Sequence, residues 1–274
     1  MDYHQKERYG IDDLLRIMEL LRSPGGCPWD KVQTHQSIRK NFIEETYEVV
    51  EAIDNQDASL LREELGDVLL QVVFHTQMER ERGIFDFGDV CDGICKKLIL
   101  RHPHIFSDTV ADTPAEVLKN WEEIKKQEKR QTTHAQVLKS VPRVLPSLMR
   151  SEKVQHRAAK SGFDYPDVEW AMGDLRSEVE ELAQAIAQKD AASVDEELGD
   201  LLFSVVNVAR FVQVDPEHSL KKSCDKFISR FAHVEQIAAD RGVALESADM
   251  NLLDDLWQEA KTKNEKTLEV RKND

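Results

Sequence analysis

The pentapeptide EELGD occurs at Glu63–Asp67 and again at Glu196–Asp200. Around it, residues 48–73 align without a gap on residues 181–206, and thirteen of the 26 aligned positions are identical. The register sets Glu45 on Glu178 and Glu48 on Glu181. The likeness continues with small shifts. WD at 29–30 matches FD at 163–164, KLILR at 97–101 matches KFISR at 226–230, and WEEIK at 121–125 matches WQEAK at 257–261. Each half therefore carries ExxE, ExxD, KxxxR and WxxxK in the same order. One such match arises easily in a Glu-rich chain, but four in order point to duplication of one module. The 274 residues suit two domains of ordinary size. The expected organisation is an N-terminal module at 1–127, a polar, Pro-punctuated linker at 128–147 and a C-terminal module at 148–274.

Apolar residues recur at helical spacing, as in Leu65, Val68, Leu69, Val72 and Val73. Proline and glycine cluster in short stretches such as SPGGCPWD, RHPHIF and SVPRVLPS, and no convincing alternation marks a strand. The fold class expected is all-α, a duplicated helical-bundle module.

Charge narrows the function. Acidic residues outnumber basic ones 52 to 37, a net charge of −15. That balance argues against nucleic acid or an anionic membrane as partner. It leaves phosphorylated substrates open, because acidic clusters hold the cations that hold phosphate. The start MDYHQKERYGIDDLL lacks the apolar core of a secretion signal, and no apolar run is long enough to span a membrane. None of the four cysteines stands in a CxxC pair, which fits free thiols in a reducing compartment. A cytoplasmic location is expected.

Residues three apart share a helical face. Glu178 and Glu181 form one such pair, and Glu197 and Asp200 another. KDAAS at 189–193 breaks the helical pattern between them, with Ser193 and Glu196 at capping-box spacing. Two antiparallel helices would gather these four carboxylates. The first half repeats the set as Glu45, Glu48, Glu64 and Asp67. Glu on a helix usually faces water, yet both aspartates sit in apolar runs, LGDVLLQVV and LGDLLFSVV. Carboxylates crowded beside apolar surface repel one another unless cations occupy the site. Hard ions with oxygen ligands fit best, Mg²⁺ with Mn²⁺ as an alternative. A di-iron site usually wants Glu-x-x-His, and the chain has none. It also lacks the His-Asp dipeptide of another metal phosphohydrolase class.

Carboxylate-held Mg²⁺ serves phosphate chemistry. Lys226 and Arg230, one turn apart, suit a polyphosphate, although Arg230 could equally pair with a surface Glu. Lys261 shares a face with Trp257, which suits either the core or a nucleobase. Asn207 follows Asp200 on the same stripe, where an amide reads a substrate or orients a ligand. The first half has Phe74 there, which would crowd its site.

EExxE at 44–48 followed by ExxD at 64–67, with GGCPWDKVQTHQSI upstream and RHPHIF downstream, resembles the MazG nucleoside triphosphate pyrophosphohydrolases in their two-domain bacterial form. The resemblance covers nearly the whole chain. It implies an all-α fold related to dimeric dUTPases and phosphoribosyl-ATP pyrophosphohydrolases. It also implies a homodimer and Mg²⁺-dependent cleavage between the α and β phosphates of varied nucleoside triphosphates, clearing unwanted nucleotides. Carried onto this sequence, it makes Glu178, Glu181, Glu197 and Asp200 metal ligands and the catalytic set. Lys226, Arg230 and Lys261 become phosphate contacts, with Trp257 near the base. It implies that the C-terminal half hydrolyses and the N-terminal half is mainly architectural, although Glu45, Glu48, Glu64 and Asp67 are intact. Ser177 departs from the EExxE pattern, where the first half has Glu44. The alternative is a helical nucleotide-sensing scaffold that binds without turnover.

Overall fold

The computed structural model describes residues 4–107, 109, 111, 113–128 and 131–273; at 122, 127 and 263–273 it describes backbone alone. The chain divides into two compact units, Met1–Glu128 and Lys129–Asp274. Every regular element among the described residues is helical. None of these helices is long and apolar enough to cross a membrane.

The first unit holds α1 (Ile11–Arg22), α2 (Pro28–Val32), α3 (Arg39–Asp54), α4 (Ala58–Glu81), α5 (Phe87–Arg101), α6 (Pro103–Phe106) and α7 (Pro114–Glu128). Helices α3 and α4 form a hairpin, with α1 against α4 and α7 against α5. The core lies where α1 meets α4. Met18, Ile38, Val73, Phe74 and Met78 are buried there, with Leu14, Leu15, Leu70 and Phe87 packed against them. The SPGGCPWD turn between α1 and α2 needs a glycine at Gly26. A Cβ there would meet the carbonyl oxygens of Leu20 and Leu21 at 2.2 Å.

The second unit holds α8 (His134–Lys139), α9 (Ser147–Ala159), α10 (Val168–Gln188), α11 (Ala191–Phe211), α12 (Pro216–Asp240), a 3₁₀ turn (Leu245–Ser247) and α13 (Met250–Asn273). Helices α10 and α11 repeat the hairpin, and α9 packs on α8, α11 and α12. Its largest buried cluster lies between α12 and α13, where Val234, Ile237, Ala238, Leu256 and Ala260 meet.

The two hairpins turn by one device. Gln56 and Lys189 adopt left-handed backbone, with φ of 55° and 58°. The next residue, Asp57 or Asp190, then caps the following helix. Asp57 accepts from the amides of Ser59 and Leu60 at 2.9 and 3.0 Å. Asp190 accepts from Ala192 N–H at 3.1 Å. This corrects the expected cap at Ser193, which already lies inside α11 and donates its hydroxyl to Asp190 at 2.9 Å. Serine caps about as well as aspartate, but the left-handed turn at Lys189 puts Asp190, not Ser193, at the helix boundary.

The expected linker also contains structure. Thr133 and Gln136 form a capping box that starts α8. Arg157 on α9 then donates to the Val137 carbonyl at 2.6 Å and the Ser140 hydroxyl at 2.9 Å, tying α8 to the second unit. Lys129 and Arg130 of that segment lie outside the described residues.

Candidate active site

Helices α10 and α11 carry the acidic tetrads of the C-terminal module. Glu178, Glu197 and Asp200 converge so that one oxygen from each lies within 4.8 Å of the others. Glu181 stands outside this group of three and accepts the Ser177 hydroxyl at 2.8 Å. It remains electrostatically close. Burial pushes the Glu178 carboxyl above its ordinary pKa, and the charge of Glu181 is the next cause, followed by Asp174, Asp200 and Glu197. Burial likewise raises Glu197, with Glu181 and then Asp200 adding to it. Negative groups held this close disfavour ionisation in the absence of a cation. Among the described residues, no Lys or Arg forms an ion pair with the cluster.

The N-terminal module builds the matching group from α3 and α4. Glu45, Glu48 and Glu64 lie within the same 4.8 Å of one another. Here Asp67 is the member outside. Burial is the main cause raising Glu45, with Asp67 next, and burial followed by Glu48 raises Glu64. Three hard oxygen donors around one small space suit a divalent cation in either module. Of the four carboxylates expected to gather in each module, three meet within this separation, and the fourth is a different member of the repeat.

Sequence reading missed Asp174, one turn before Glu178. Its carboxylate accepts the Tyr165 hydroxyl at 2.8 Å and the Ser204 hydroxyl at 2.6 Å. The bond to Asp174 raises the Tyr165 phenol in turn. The spacing DxxxExxE held the available signal, since Asp174 falls on the face of Glu178 and Glu181. A cavity of about 570 Å³ opens beside Asp174, lined by Tyr165, Glu169, Trp170, Gly173 and Ser177.

Asn207 is half-buried and accepts from Arg210 Nη2 at 2.8 Å. Arg210 also binds both carboxylate oxygens of Asp164, the Nη1 contact being 2.9 Å. The amide therefore orients an arginine that anchors the loop before α10. Its counterpart Phe74 does not crowd the N-terminal carboxylates. It is buried in the core under the ring edge of Trp29, with the Arg22 guanidinium 5.3 Å from its centre.

The expected phosphate contacts lie on another helix pair. Lys226 and Arg230 stand on α12, and Trp257 and Lys261 on α13. Trp257 packs on the core of that pair and against Phe227, ring centres 5.1 Å apart. Arg230 Nε is buried without a hydrogen-bond acceptor. Among the described residues, no hydrogen bond or ion pair joins these cations to the four carboxylates.

The family model of the MazG nucleotide pyrophosphohydrolase domain matches this chain twice, at residues 33–106 and 168–235. The chain belongs to the MazG family. Both matches enclose an acidic hairpin. The nucleoside triphosphate pyrophosphohydrolase of Escherichia coli K12 is 45% identical over 254 residues, 92% of this chain and 97% of its own length. The Thermotoga maritima protein named nucleoside triphosphate pyrophosphohydrolase/pyrophosphatase MazG is 44% identical over 251 residues, 92% of this chain and 95% of its own.

Proposed function

We propose that the C-terminal module of this pyrophosphohydrolase cleaves nucleoside triphosphates between the α and β phosphates. Water adds at phosphorus and pyrophosphate leaves, giving a nucleoside monophosphate. The observation that carries this reading is the Glu178–Glu197–Asp200 group, three carboxylate oxygens within 4.8 Å across one helical hairpin. Glu178, Glu197 and Asp200 would hold Mg²⁺, or Mn²⁺, with Glu181 beside them. When bound, such an ion offsets phosphate charge and lowers the pKa of a bound water.

The chain's own residues do the rest. Tyr165 and Ser204 fix Asp174, which holds its place behind Glu178. Lys226, Arg230 and Lys261 neutralise the polyphosphate, and Trp257 lies near the base. Asn207 acts through Arg210. The substrates are a broad range of nucleoside triphosphates, and the role is to clear unwanted nucleotides. The hairpins leave large apolar side chains exposed, including Val179 and Ile186 on α10 and Leu198, Leu202 and Phe203 on α11. Such a surface favours association, and we assign it to a homodimer.

The test is pyrophosphate release from a panel of nucleoside triphosphates, with Mg²⁺ and with chelator. Release from several nucleotides, abolished by chelator and restored by Mg²⁺, is expected. Release of orthophosphate alone would overturn the cleavage position, and turnover in chelator would overturn the metal. Light scattering on the eluted protein checks for twice the chain mass.

A further inference from the structure

The two modules treat the arginine of their KxxxR motifs differently. In the N-terminal module, Arg101 donates from Nε and Nη2 to one oxygen of Glu128, at 2.9 and 2.5 Å. Both side chains are largely withdrawn from water, at 16% and 25% exposed. The Arg101 guanidinium also lies 5.1 Å from the centre of the Trp121 ring, and the Lys125 ammonium lies 4.6 Å from it. The Arg, Trp and Lys of the two motifs are thus closed on one another and on a carboxylate. In the C-terminal module, Trp257 packs against Phe227 instead, and Arg230 Nε is buried with no acceptor. Aligning WEEIK on WQEAK carries Glu128 onto Asn264, so the carboxylate has no counterpart there.

We propose that Glu128 is a built-in anion that fills the phosphate seat of the N-terminal module, so that this module holds no nucleoside triphosphate while the Arg101–Glu128 pair stands. This rests on the reading of KxxxR as the phosphate-contacting motif. The placement supports it. Val72 and Thr76 of α4 line one cavity with Phe85, just ahead of α5, and with Val90 in the first turn of α5. Helix α5, which carries Arg101, is in contact with α4, which carries Glu64. The chemistry supports it too. A carboxylate and a phosphate present the same acceptor oxygens to a guanidinium. A carboxylate tethered nearby competes at a high effective concentration, and its charge repels an arriving polyphosphate. The acidic group Glu45, Glu48 and Glu64 then lacks the cation that a substrate's phosphates need beside it.

The experiment is calorimetric titration of the intact protein with α,β-methylene-ATP in Mg²⁺. One analogue per chain is expected for the wild type and two for Glu128→Gln. Adding Arg101→Gln to Glu128→Gln should return the count to one. Thermal melting by circular dichroism checks that each variant is folded. A folded Glu128→Gln protein that still binds one analogue overturns the inference, as does a wild type that already binds two. A wild type that binds none overturns the nucleotide-site reading itself, which separates the two failures.

Discussion

The two modules dock the loop ahead of their ExxE helix onto the middle of their ExxD helix by opposite chemistry. In the first, Trp29 meets the buried ring of Phe74 edge-on, ring centres 6.5 Å apart. Arg22 covers Phe74, binds both oxygens of Glu81 at 2.8 Å and donates to the Asp30 carbonyl. In the second, Asp164 takes the place of Asp30, and Arg210 bridges it to Asn207. The first loop is held by a half-exposed ring against a buried one with a clamp from α1, the second by a polar relay from α11. The backbone device is shared, down to the left-handed residue before each aspartate cap. The chemistry laid over it is not. A duplicated scaffold can keep its turns and its acidic face while one copy is filled in as structure and the other stays polar and open.

The largest break in symmetry should be catalytic. Glu197→Gln should lower pyrophosphate release on the order of 1,000-fold, the scale of losing an electrostatic anchor of the transition state. Glu64→Gln should leave release within about twofold of wild type, since a module that does not turn over has no transition state to lose. Equal losses in two folded variants would mean that both modules turn over or that they are coupled.

Stability should break the other way. The Arg22 side chain is only 7% exposed and serves α1, α2 and α4 together. Arg22→Ala removes both charged bonds to Glu81, which keeps only the Gln77 amide, and the side-chain donor to the Asp30 carbonyl, and should cost about 2 kcal/mol in chemical denaturation. Asp164→Asn keeps an acceptor for Arg210 and should cost about 1 kcal/mol. A reversed order would place the clamp in the wrong module.

A pH difference should follow. His35 and His75 stack with Nδ1 atoms 2.7 Å apart, and His35 Nε2 meets Glu79 at 2.6 Å. Burial, then the charge of His35, holds His75 below its ordinary pKa. The folded state therefore resists a proton that the unfolded chain takes up near pH 6.5. Stability is fully present above that value and falls as pH drops through it toward the lower folded pKa. Val168 and Val208 occupy the aligned positions of the second module. Hydrogen exchange should report earlier opening of α4 than of α11 between pH 7 and about 5.5. His75→Val should flatten that dependence.

The smallest effect should be a symmetric one. Asp57→Ala and Asp190→Ala each remove a helix cap and should each cost about 1 kcal/mol. Markedly unequal costs would show that the shared turn is not equally shared.

Much of this protein was legible from its residues. Identity across residues 48–73 and 181–206 survives wherever the chain folds, so duplication, helical class and the acidic faces follow from spacing alone. The ExxE and ExxD pairs are local, because residues three apart share a face in any helix. Which three of four carboxylates converge was not legible, since it depends on how two helices are set against each other. Ser193 seemed a cap because capping-box spacing is permissive; the backbone turn one step earlier selected Asp190. Phe74 and Asn207 occupy equivalent positions, yet one is buried under Trp29 and the other bonded to Arg210. Only contacts distant along the chain decide that. The same holds for Arg101 and Arg230. Their KxxxR motifs match and the sequence already sets Glu128 against Asn264, but tertiary structure decides that Glu128 reaches Arg101 while Arg230 Nε finds no acceptor, because ion pairing depends on separation in space.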